Sequence, residues 1–564
     1  MPLRPYYQLC IALFVGLLAF TNSVQSQAFD ETKVKAITES ADSDSAPPKD
    51  DNKWLIESAH GPERTQSIEV DEGTWITVDV SPDGKEIVFD LLGDLYVMPI
   101  SGADGTNGNV PKALTSGAAW DFQPRFSHNG KWIAFTSDRN GKSGKAGDNI
   151  WIIDRTSGKL QQVSNESFRL LNGATWSPDD DYLVARKHFS SRRSLGAGEL
   201  WMFHRDALNT NSMAGVQLTK RPNDQKDINE PAYSPDGRYL YYSQDTTPGT
   251  DFEYDKDSNG QIYVIKRLDL QKGETESYIT GAGGACRPTP SPDGKTIAFI
   301  RRMGPKTGLH LFDTESGAVR LVYDQLERDM QEAWAIHGVY PAFSWTPDGR
   351  SIVIYAKGKI RRINVADGTA SVIPFRIKDT RTVTEPVRFP IEVAPNEFDV
   401  KMLRWVQTSP DGRHVVFQAL GQLYLRDLQS GSVRRLTDRR NEFEFCPSFS
   451  RDGRYVVYTT WNDQQLGSIR ITSVANPNDN RPLTIRPGHY KDPVFSPNGL
   501  FVVFNKVSGG SLTSPLWSHE PGIYRADIDG GQPKLISKDG SRPLFAAESD
   551  RVFLQRTKSE KEAD

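Results

Sequence analysis

Short apolar runs alternate with polar turns along most of the chain, and one arrangement of them returns about every 40 to 60 residues. Each repeat places a Ser-Pro-Asp-Gly tetrapeptide, or a close variant, after an apolar residue and before a strand-like run. Asp-Gly and Asn-Gly tolerate the positive φ that tight hairpins need, so each copy predicts a hairpin between two strands. Nine copies are present, and they begin at Ser81, Ser127, Ser177, Ser234, Ser291, Thr346, Ser409, Ser450 and Ser496.

Two further strand patterns follow each hairpin. Residues 149–153 form such a third run, and a Gly-containing turn leads to a fourth strand like the one that ends at residues 435–437. Four short strands per repeat, rich in β-branched and aromatic residues, are typical of a β-propeller in which each repeat is one blade. No segment after the N-terminal apolar run has the periodicity of a long amphipathic helix. The sequence therefore predicts an all-β fold of WD40-like propeller blades.

Composition agrees with a turn-rich protein and argues against nucleic acid as a partner. The chain has 564 residues, is 37% hydrophobic, and contains 46 Gly and 35 Pro residues. Its formal net charge of -4 shows none of the positive excess that nucleic-acid-binding proteins carry. The length is too great for one ordinary domain, so we expect two tandem propellers.

The N-terminus predicts export. Arg4 precedes an apolar run from Leu9 to Phe20, which is too short for a comfortable membrane span and is typical of a secretory signal peptide. Cleavage after Ser26 would give a signal peptide at residues 1-26 and a periplasmic or secreted protein. Residues 27-52, rich in Ser, Asp, Ala, Pro and Lys, predict a disordered tether. No later segment is apolar enough to suggest a membrane span.

The spacing of the copies divides the rest of the chain unequally. Six copies precede the longest gap, and similar initial strand patterns occur at residues 64–70 and 388–393. We therefore expect a six-bladed propeller at residues 53-378, with its N-terminal strand completing the last blade. A second propeller of about four blades is expected at residues 379-556, because only three copies and a degenerate fourth remain. A charged tail follows at residues 557-564.

An incomplete second ring would leave unpaired sheet edges and uncovered sheet faces. Three interpretations are open from the sequence. A partner completes the ring, the blades close irregularly, or the chain is the front part of a longer protein.

The residues four positions before each motif serine form a candidate recognition ring. Several are polar and are followed by Pro, at the start of the innermost strand, where one mouth of a propeller's central channel is expected. The alternative is a wet rim of polar residues that binds nothing. These channel-mouth candidates are Gln123, Glu230, Arg287, Cys446 and Asp492, with Arg542 in the degenerate copy.

A basic loop is a second candidate. It contains Arg186, Lys187, His188, Arg192 and Arg193, and would suit an anionic peptide or glycan unless the cations pair with nearby acids.

Calcium is the one cofactor that the sequence suggests. Asp255, Asp257 and Asn259, followed by Gly260, match positions 1, 3, 5 and 6 of a calcium loop. Position 12 is Lys266 where a bidentate Glu is expected, so the alternative is an acidic hairpin turn.

Catalytic motifs are not found in the sequence. The nine histidines form no His-x-His pair and no His-Glu-x-x-His motif, and the sequence contains no Gly-x-Ser-x-Gly elbow. After the signal peptide only Cys286 and Cys446 remain, which we expect to be free and semi-buried. The sequence therefore predicts a protein that is not an enzyme.

Particular stretches carry a more specific resemblance. They are residues 72–75, 186–189, 194–201, 252–254, 259–263, 329–338 and 514–517. The repeat resembles that of TolB-type periplasmic propellers. The stretches look similar to the N-terminal propeller region of secreted bacterial propeller–amidohydrolase fusion proteins. In that family further propeller sequence and a metal-dependent amidohydrolase barrel follow, beyond the part that this chain resembles. The hydrolase activity is therefore not carried over.

Two functions are consistent with these observations. The leading hypothesis is a non-catalytic propeller that binds or gates a ligand, a protein or peptide at one propeller face, for a separate or downstream amidohydrolase. The alternative is a TolB-like envelope scaffold that binds other proteins through a propeller face.

Overall fold

The computed structural model describes residues 56, 61–139, 147–190, 196–207, 213–250, 256–385, 389, 391–508, 519–548 and 550–556. Nearly all regular structure in these ranges is antiparallel β-strand, arranged in small sheets that follow one another along the chain. One short 3-10 helix is described, at Thr106–Gly108. The predicted signal peptide, tether and charged tail lie outside the described residues. In the described part of the chain no helix is long and apolar enough to cross a membrane.

Strand β1 spans Glu63–Val70, and six four-stranded sheets follow it in the described residues, here numbered in chain order. Sheet 1 contains β2 (Val78–Val80), β3 (Glu86–Leu91), β4 (Asp94–Pro99) and β5 (Lys112–Ala113); sheet 2 contains β6 (Asp121–Phe126), β7 (Trp132–Ser137), β8 (Asn149–Asp154) and β9 (Leu160–Gln162); sheet 3 contains β10 (Leu171–Trp176), β11 (Tyr182–Ser190), β12 (Gly196–His204) and β13 (Val216–Gln217).

Sheet 4 contains β14 (Ile228–Tyr233), β15 (Tyr239–Asp245), β16 (Tyr263–Asp269) and β17 (Glu274–Ile279); sheet 5 contains β18 (Cys286–Pro290), β19 (Thr296–Met303), β20 (Lys306–Asp313) and β21 (Val319–Tyr323); sheet 6 contains β22 (Ser344–Trp345), β23 (Ser351–Ala356), β24 (Lys359–Asn364) and β25 (Ala370–Ile373). In every sheet the strands are hydrogen-bonded in sequence order, which makes each sheet an antiparallel meander.

The Ser-Pro-Asp-Gly turn joins the first two strands of a sheet in the same way each time. In the first copy the Ser81 hydroxyl donates to Asp83 Oδ1 at 2.6 Å and accepts the Glu86 N–H at 2.9 Å. The seventh copy repeats both bonds through Ser409. The serine therefore ties the turn to the start of the returning strand, which explains why serine or threonine begins each copy.

Apolar clusters join each of the six sheets to the next and close them into a ring. Side chains of β3 and β23 pack together between sheets 6 and 1, and β2 contacts both β22 and β23. A backbone hydrogen bond from Val78 N to Ala342 O, 3.0 Å long, crosses the same seam. The other five interfaces are formed by Val88 with Ile133, Ile152 with Leu183, Leu200 with Ile228, Ile265 with Phe299, and Ile300 with Ile352.

The N-terminal strand does not complete the last blade, so that prediction is wrong. Sheet 6 already has its own fourth strand, and β1 pairs instead with β26 (Ile377–Thr384) in a separate two-stranded ribbon. Ile377 of this ribbon is buried in the cluster between sheets 6 and 1, with Val70 packed against it. Arg381 pairs with Asp94 of sheet 1, with 2.6 Å between Nη2 and Oδ2. The ribbon therefore packs over the seam where the ring closes.

Four further sheets follow in the described residues. Sheet 7 contains β27 (Arg404–Thr408), β28 (His414–Ala419), β29 (Gln422–Asp427) and β30 (Val433–Arg435); sheet 8 contains β31 (Phe443–Phe449), β32 (Tyr455–Asn462), β33 (Leu466–Ser473) and β34 (Asn480–Pro482); sheet 9 contains β35 (His489–Phe495), β36 (Phe501–Val507), β37 (Gly522–Asp527) and β38 (Lys534–Ser537); the two-stranded sheet 10 contains β39 (Ser541–Phe545) and β40 (Val552–Gln555).

Sheets 7 to 10 pack as an open arc. Apolar clusters join 7 to 8, 8 to 9 and 9 to 10. No such cluster joins sheet 10 to sheet 7 among the described residues. Every residue of β27 is exposed, and Val406 has 54% of its surface accessible to solvent. The all-β propeller prediction is confirmed by this arrangement of sheets, while the residue limits of the two propellers stay predictions.

The motif aspartates predict a specific loss of stability in acid. The Ser450 hydroxyl, the Arg454 backbone N–H and the Arg454 guanidinium lower the pKa of Asp452 to about 2, from 3.8. The charged carboxylate therefore stabilises the fold above pH 4, and this contribution is lost as pH falls from about 4 towards 2. We expect Asp452→Asn to lower the thermal unfolding midpoint by about 1 to 3 °C at pH 6.

The difference between the wild type and Asp452→Asn should narrow between pH 4 and pH 3, measured by circular dichroism. Asp529→Asn, in an exposed turn outside the motif, is the control and should change the midpoint little at any pH. A difference for Asp452→Asn that stays constant from pH 6 to pH 3 would contradict the prediction.

Candidate ligand-binding mouth

The innermost strand of eight of the described sheets carries a β-bulge four residues before the position of the motif serine. The bulged residue has a left-handed backbone in every case, although only one of the eight is glycine. This conformation is strained for a side chain-bearing residue, and a bulge of this kind redirects the side chain. The residues are Gln123 (φ 57), Gly173 (φ 64), Glu230 (φ 59), Arg287 (φ 55), Trp405 (φ 48), Cys446 (φ 48), Asp492 (φ 51) and Arg542 (φ 48).

The bulged residues link one sheet to the next. Glu230 Oε2 accepts the backbone N–H of Arg287 at 2.6 Å, and Gln123 Oε1 accepts that of Gly173 at 2.7 Å. In the open arc the Cys446 thiol is in hydrogen-bond contact with the backbone N–H of Asp492. All six channel-mouth candidates therefore occupy the bulge, and five of them take part in links between neighbouring sheets.

The structure covers the first mouth with a segment of the chain itself. We call residues 329–343, between β21 and β22, the plug segment. Gln123 Nε2 donates to His337 O at 2.8 Å, and the Phe122 ring lies edge-on to the His337 ring with 4.9 Å between centroids. The Trp334 and His188 rings are 5.7 Å apart. The plug segment thus contacts sheets 2 and 3 from across the mouth.

Glu230 and Arg287 hold the centre of the plug segment by its main chain. Glu230 Oε1 accepts the Val339 N–H at 2.6 Å, and Arg287 Nε donates to Tyr340 O at 2.8 Å. The two side chains also pair with each other, with 3.2 Å between Arg287 Nη2 and Glu230 Oε1. Gly338 lies directly on this pair, where an added Cβ would come within 2.0 Å of Arg287 Nη2. In the first ring these candidates therefore bind the protein's own backbone.

A buried ion pair anchors the start of the plug segment. Arg302 in β19 makes two parallel bonds to Asp329, Nε to Oδ2 at 2.9 Å and Nη2 to Oδ1 at 2.8 Å. Arg302 Nη1 donates to Glu332 Oε1 at 2.7 Å, and the Thr307 hydroxyl donates to Asp329 Oδ2 at 2.6 Å. The Arg302 and Asp329 side chains have no solvent exposure. Removing one partner would leave an uncompensated buried charge.

Behind the plug segment, the first ring encloses a channel of about 390 Å³ lined by residues of all six sheets. Its wall contains an Asp79–Arg125 pair, 3.4 Å between Oδ1 and Nη1, and Arg125 also donates to Phe343 O at 3.3 Å. The motif serines Ser81, Ser127, Ser234 and Ser291 line the end that the plug segment does not cover.

The remaining candidates line a concavity that no described segment covers. We call the surface formed by Trp405, Phe445, Cys446, Trp461, His489, Tyr490, Lys491, Asp492 and Arg542 the second mouth. It encloses about 780 Å³ and spans sheets 7 to 10. Trp405 is 40% exposed and meets Phe445 edge-on at 5.8 Å, while the Trp461 and His489 rings are 5.4 Å apart. The second mouth therefore combines aromatic faces with charged groups.

Burial determines the protonation states of two groups in the second mouth. Burial raises the pKa of the Cys446 thiol to about 11, so it is protonated at neutral pH. Burial also lowers the pKa of His489, which keeps its ring neutral at neutral pH. Lys491 and Arg542 form no ion pair with any described residue, so the surface carries two cations against the one carboxylate of Asp492.

The basic-loop prediction is wrong for the three residues that the structure describes. Arg186, Lys187 and His188 lie in strand β11 and are buried. Arg186 pairs with Asp227, 2.7 Å between Nη2 and Oδ1, and Lys187 pairs with Glu166. Burial and the adjacent Arg186 lower the pKa of His188 to about 3. Arg186 and Lys187 therefore pair with acidic side chains in the interior at sheet 3, and they do not form an exposed basic surface. Arg192 and Arg193 lie outside the described residues.

The calcium candidate remains a prediction. Asp257 Oδ1 accepts the Asn259 N–H at 2.9 Å, the bond of a turn closed by an Asp side chain. Lys256, between the two predicted ligands, pairs with buried Asp245 at 2.6 Å. Asp255 lies outside the described residues, among which no group of three or more His, Cys, Asp or Glu side chains could hold a metal ion.

Sequence reasoning missed Trp405 and the role of the plug segment. Trp405 occupies the same bulge position but is followed by Val instead of Pro, and the search for polar residues before Pro excluded it. Its position four residues before the motif serine Ser409 is the sequence feature that identifies it as a bulge residue. The plug segment interrupts the repeat between the fifth and sixth copies, and nothing in its composition indicates where it packs.

Comparison with known proteins gives distant similarity only. No protein-family model matches the sequence. The chain is 27% identical over 234 residues to the uncharacterized peptidase YuxL of Bacillus subtilis, covering 41% of this chain and 29% of the relative. It is 22% identical over 223 residues to the uncharacterized protein Atu1656 of Agrobacterium fabrum, covering 38% of this chain and 64% of the relative. The chain thus spans less than two thirds of the length of both curated relatives.

The similarity to solved structures is also low, in TM-score and in sequence identity. A putative TolB from Agrobacterium tumefaciens has a TM-score of 0.34 and 19% identity, covering 59% of this chain and all of that one. The tricorn protease has a TM-score of 0.38 and 14% identity, covering 85% of this chain and 46% of that one. The propeller assignment rests on the arrangement of sheets described above.

The anchor of the plug segment predicts which residues hold it in place. We expect Arg302→Gln to destabilise the protein by about 3 to 5 kcal/mol, because it leaves the Asp329 carboxylate buried and unpaired. Amide hydrogen exchange at residues 329–343 should accelerate more than exchange in sheets 1 and 2. Thr307→Val removes two hydrogen bonds with Asp329, one donated to its carboxylate and one accepted from its backbone N–H, and should show the same pattern at about 1 to 3 kcal/mol.

Lys306→Gln is the matched control on the neighbouring strand. Lys306 pairs with Asp324 at 2.7 Å, but both side chains are exposed, so the loss should be below about 1 kcal/mol. Uniform acceleration of exchange across the ring in Thr307→Val would contradict an anchoring role.

Proposed function

We propose that this chain is a non-catalytic binding propeller, exported to the periplasm or beyond, whose ligand site is the second mouth. The contrast between the two mouths is the observation that carries the proposal. The same bulge position that faces the plug segment in the first ring faces, in the open arc, a concavity of about 780 Å³ that no segment among the described residues covers. Export is supported by the apolar N-terminal run at residues 9–20.

The residue types of the second mouth suit recognition. Trp, Tyr and Arg side chains supply most of the binding energy in many interfaces, because they combine large apolar area with a polar group. Trp405 and Trp461, in the neighbouring sheets 7 and 8, provide such area, and Arg542 provides a planar donor. The bulge fixes the backbone at Trp405, Asp492 and Arg542. Little backbone ordering at these residues would therefore be needed on binding.

Association with a hydrolase is a second candidate function. The similarity to YuxL, a protein named as a peptidase, supports it, although the match covers only 29% of that protein. In this version the second mouth would present a ligand to the hydrolase. Passage through the first ring is not part of the proposal, because the plug segment lies across one end of that channel.

The proposal is tested with a defined ligand panel and two variants. Thermal shift is measured for the wild type with decapeptides, cello- and chito-oligosaccharides, and peptidoglycan fragments. At least one class should raise the unfolding midpoint of the wild type, and the shift should fall by half or more in Trp405→Ala or Arg542→Gln, because both side chains line the mouth.

The control variant is Arg413→Gln, in an exposed turn of sheet 7 that does not line the mouth; it should respond like the wild type. A ligand shift that is equal in all four proteins would place the ligand elsewhere and contradict the proposal. A panel without any shift would contradict it as well.

A further inference from the structure

We infer that the second mouth binds an acidic peptide segment of another protein, held through its main chain. This inference rests on the proposed function and deepens it by naming the ligand class. Three independent features of the described residues support it: the way in which the first mouth holds the plug segment, a matching acid–arginine pair, and the charge of the surface.

The first mouth shows how side chains at the bulge hold a looped peptide segment, in which Gly338 N donates to Ala335 O at 3.1 Å. Glu230 accepts the main-chain N–H of Val339, and Arg287 donates to the carbonyl of the next residue, Tyr340. Gln123 donates to the carbonyl of His337. These contacts use main-chain groups, which every peptide has, so the bulge positions recognise a peptide backbone more than a particular sequence.

The second mouth repeats the acid and the arginine in the same order. Glu230 and Arg287 occupy the bulges of consecutive sheets, 4 and 5, and Asp492 and Arg542 occupy the bulges of consecutive sheets, 9 and 10. Asp492 is thus placed to accept an N–H as Glu230 does, and Arg542 to donate to a carbonyl as Arg287 does. In the first mouth the pair is covered by the plug segment, whereas Asp492 and Arg542 line an open concavity.

The charge of the second mouth favours acidic residues in the ligand. The residues one position before the bulge are Phe122, Asn172, Asn229 and Cys286 in sheets 2 to 5, and none is charged. In sheet 9 this position is Lys491, which adds a cation beside Arg542. An acidic side chain next to the bound backbone would pair with it, and a basic one would be repelled.

Aromatic contacts complete the comparison. Two rings of the plug segment, Trp334 and His337, lie against His188 and Phe122 of the first ring. The second mouth offers Trp405 and Trp461 at its rim, with His489 next to Trp461. A peptide with one aromatic residue among its acidic residues therefore matches the surface best.

The test uses three dye-labelled decapeptides and fluorescence anisotropy. The first alternates Glu with Ala around a central Tyr, the second has Lys in place of Glu, and the third is the acidic peptide with alternate backbone amides N-methylated. We expect the acidic peptide to bind about tenfold or more tightly than the Lys peptide, with binding weakened by salt. N-methylation should weaken binding about tenfold, because it removes donors that Asp492 would accept.

Variants then locate the contacts. Arg542→Gln and Asp492→Asn should each weaken the acidic peptide about fivefold or more, and Arg413→Gln should leave it unchanged. Circular dichroism confirms that each variant is folded. Equal binding of the Glu and Lys peptides, equal binding after N-methylation, or unchanged binding in Arg542→Gln would each overturn the inference.

Failure of this inference can be told apart from failure of the proposed function. If an oligosaccharide or peptidoglycan fragment stabilises the wild type in a manner that depends on Trp405, and no decapeptide binds, the second mouth is a ligand site for a different class. If nothing binds in a manner that depends on Trp405, both proposals are wrong.

Discussion

The hydrogen bond from a bulged residue to the neighbouring sheet is the constraint on which both mouths depend. A left-handed backbone at a non-glycine residue costs about 1 to 3 kcal/mol, and the chain accepts this at seven non-glycine positions in eight bulges. The buried bond from Arg287 N to Glu230 shows what the strain provides. It fixes one innermost strand against the next and directs the two side chains to the same mouth. Links between sheets and contacts to the plug segment thus use the same residues.

Two surfaces with different roles arise from this one backbone device. In the closed ring the bulge side chains satisfy the polar main chain of the plug segment, which would otherwise be buried without partners. The buried Arg302–Asp329 pair fixes where that segment begins. Because the attraction between the two charges is largely cancelled by the cost of removing them from water, the pair contributes more to specificity than to stability. In the open arc equivalent side chains line a concavity, and within the described residues the two mouths differ by the presence of the plug segment.

Much of the fold and part of the site could be predicted from the sequence, because local rules determine them. The turn residues specify each hairpin, and counting back from the motif serine finds the bulge. The burial and pairing of Arg186 and Lys187 could not be predicted. Their partners, Asp227 and Glu166, are distant in sequence and meet them only in the folded sheets. The N-terminal strand was misassigned for a related reason: Ala370–Ile373 is a short, mostly exposed fourth strand whose pattern is weak. Non-local pairing decided both cases.

In the proposed function, ligand binding at the second mouth depends on how sheets 9 and 10 pack. Asp492 and Arg542 belong to different sheets, so a peptide that contacts both must find them at a set separation. That separation is maintained by a small apolar cluster, in which only Phe501, Val503 and Ile523 are fully buried and Phe545 packs from sheet 10. The closed ring holds its corresponding pair within a continuous circle of clusters. In the arc, a segment bound across the two sheets would itself add to the contacts that hold sheet 10 in place, so that binding and blade packing reinforce each other.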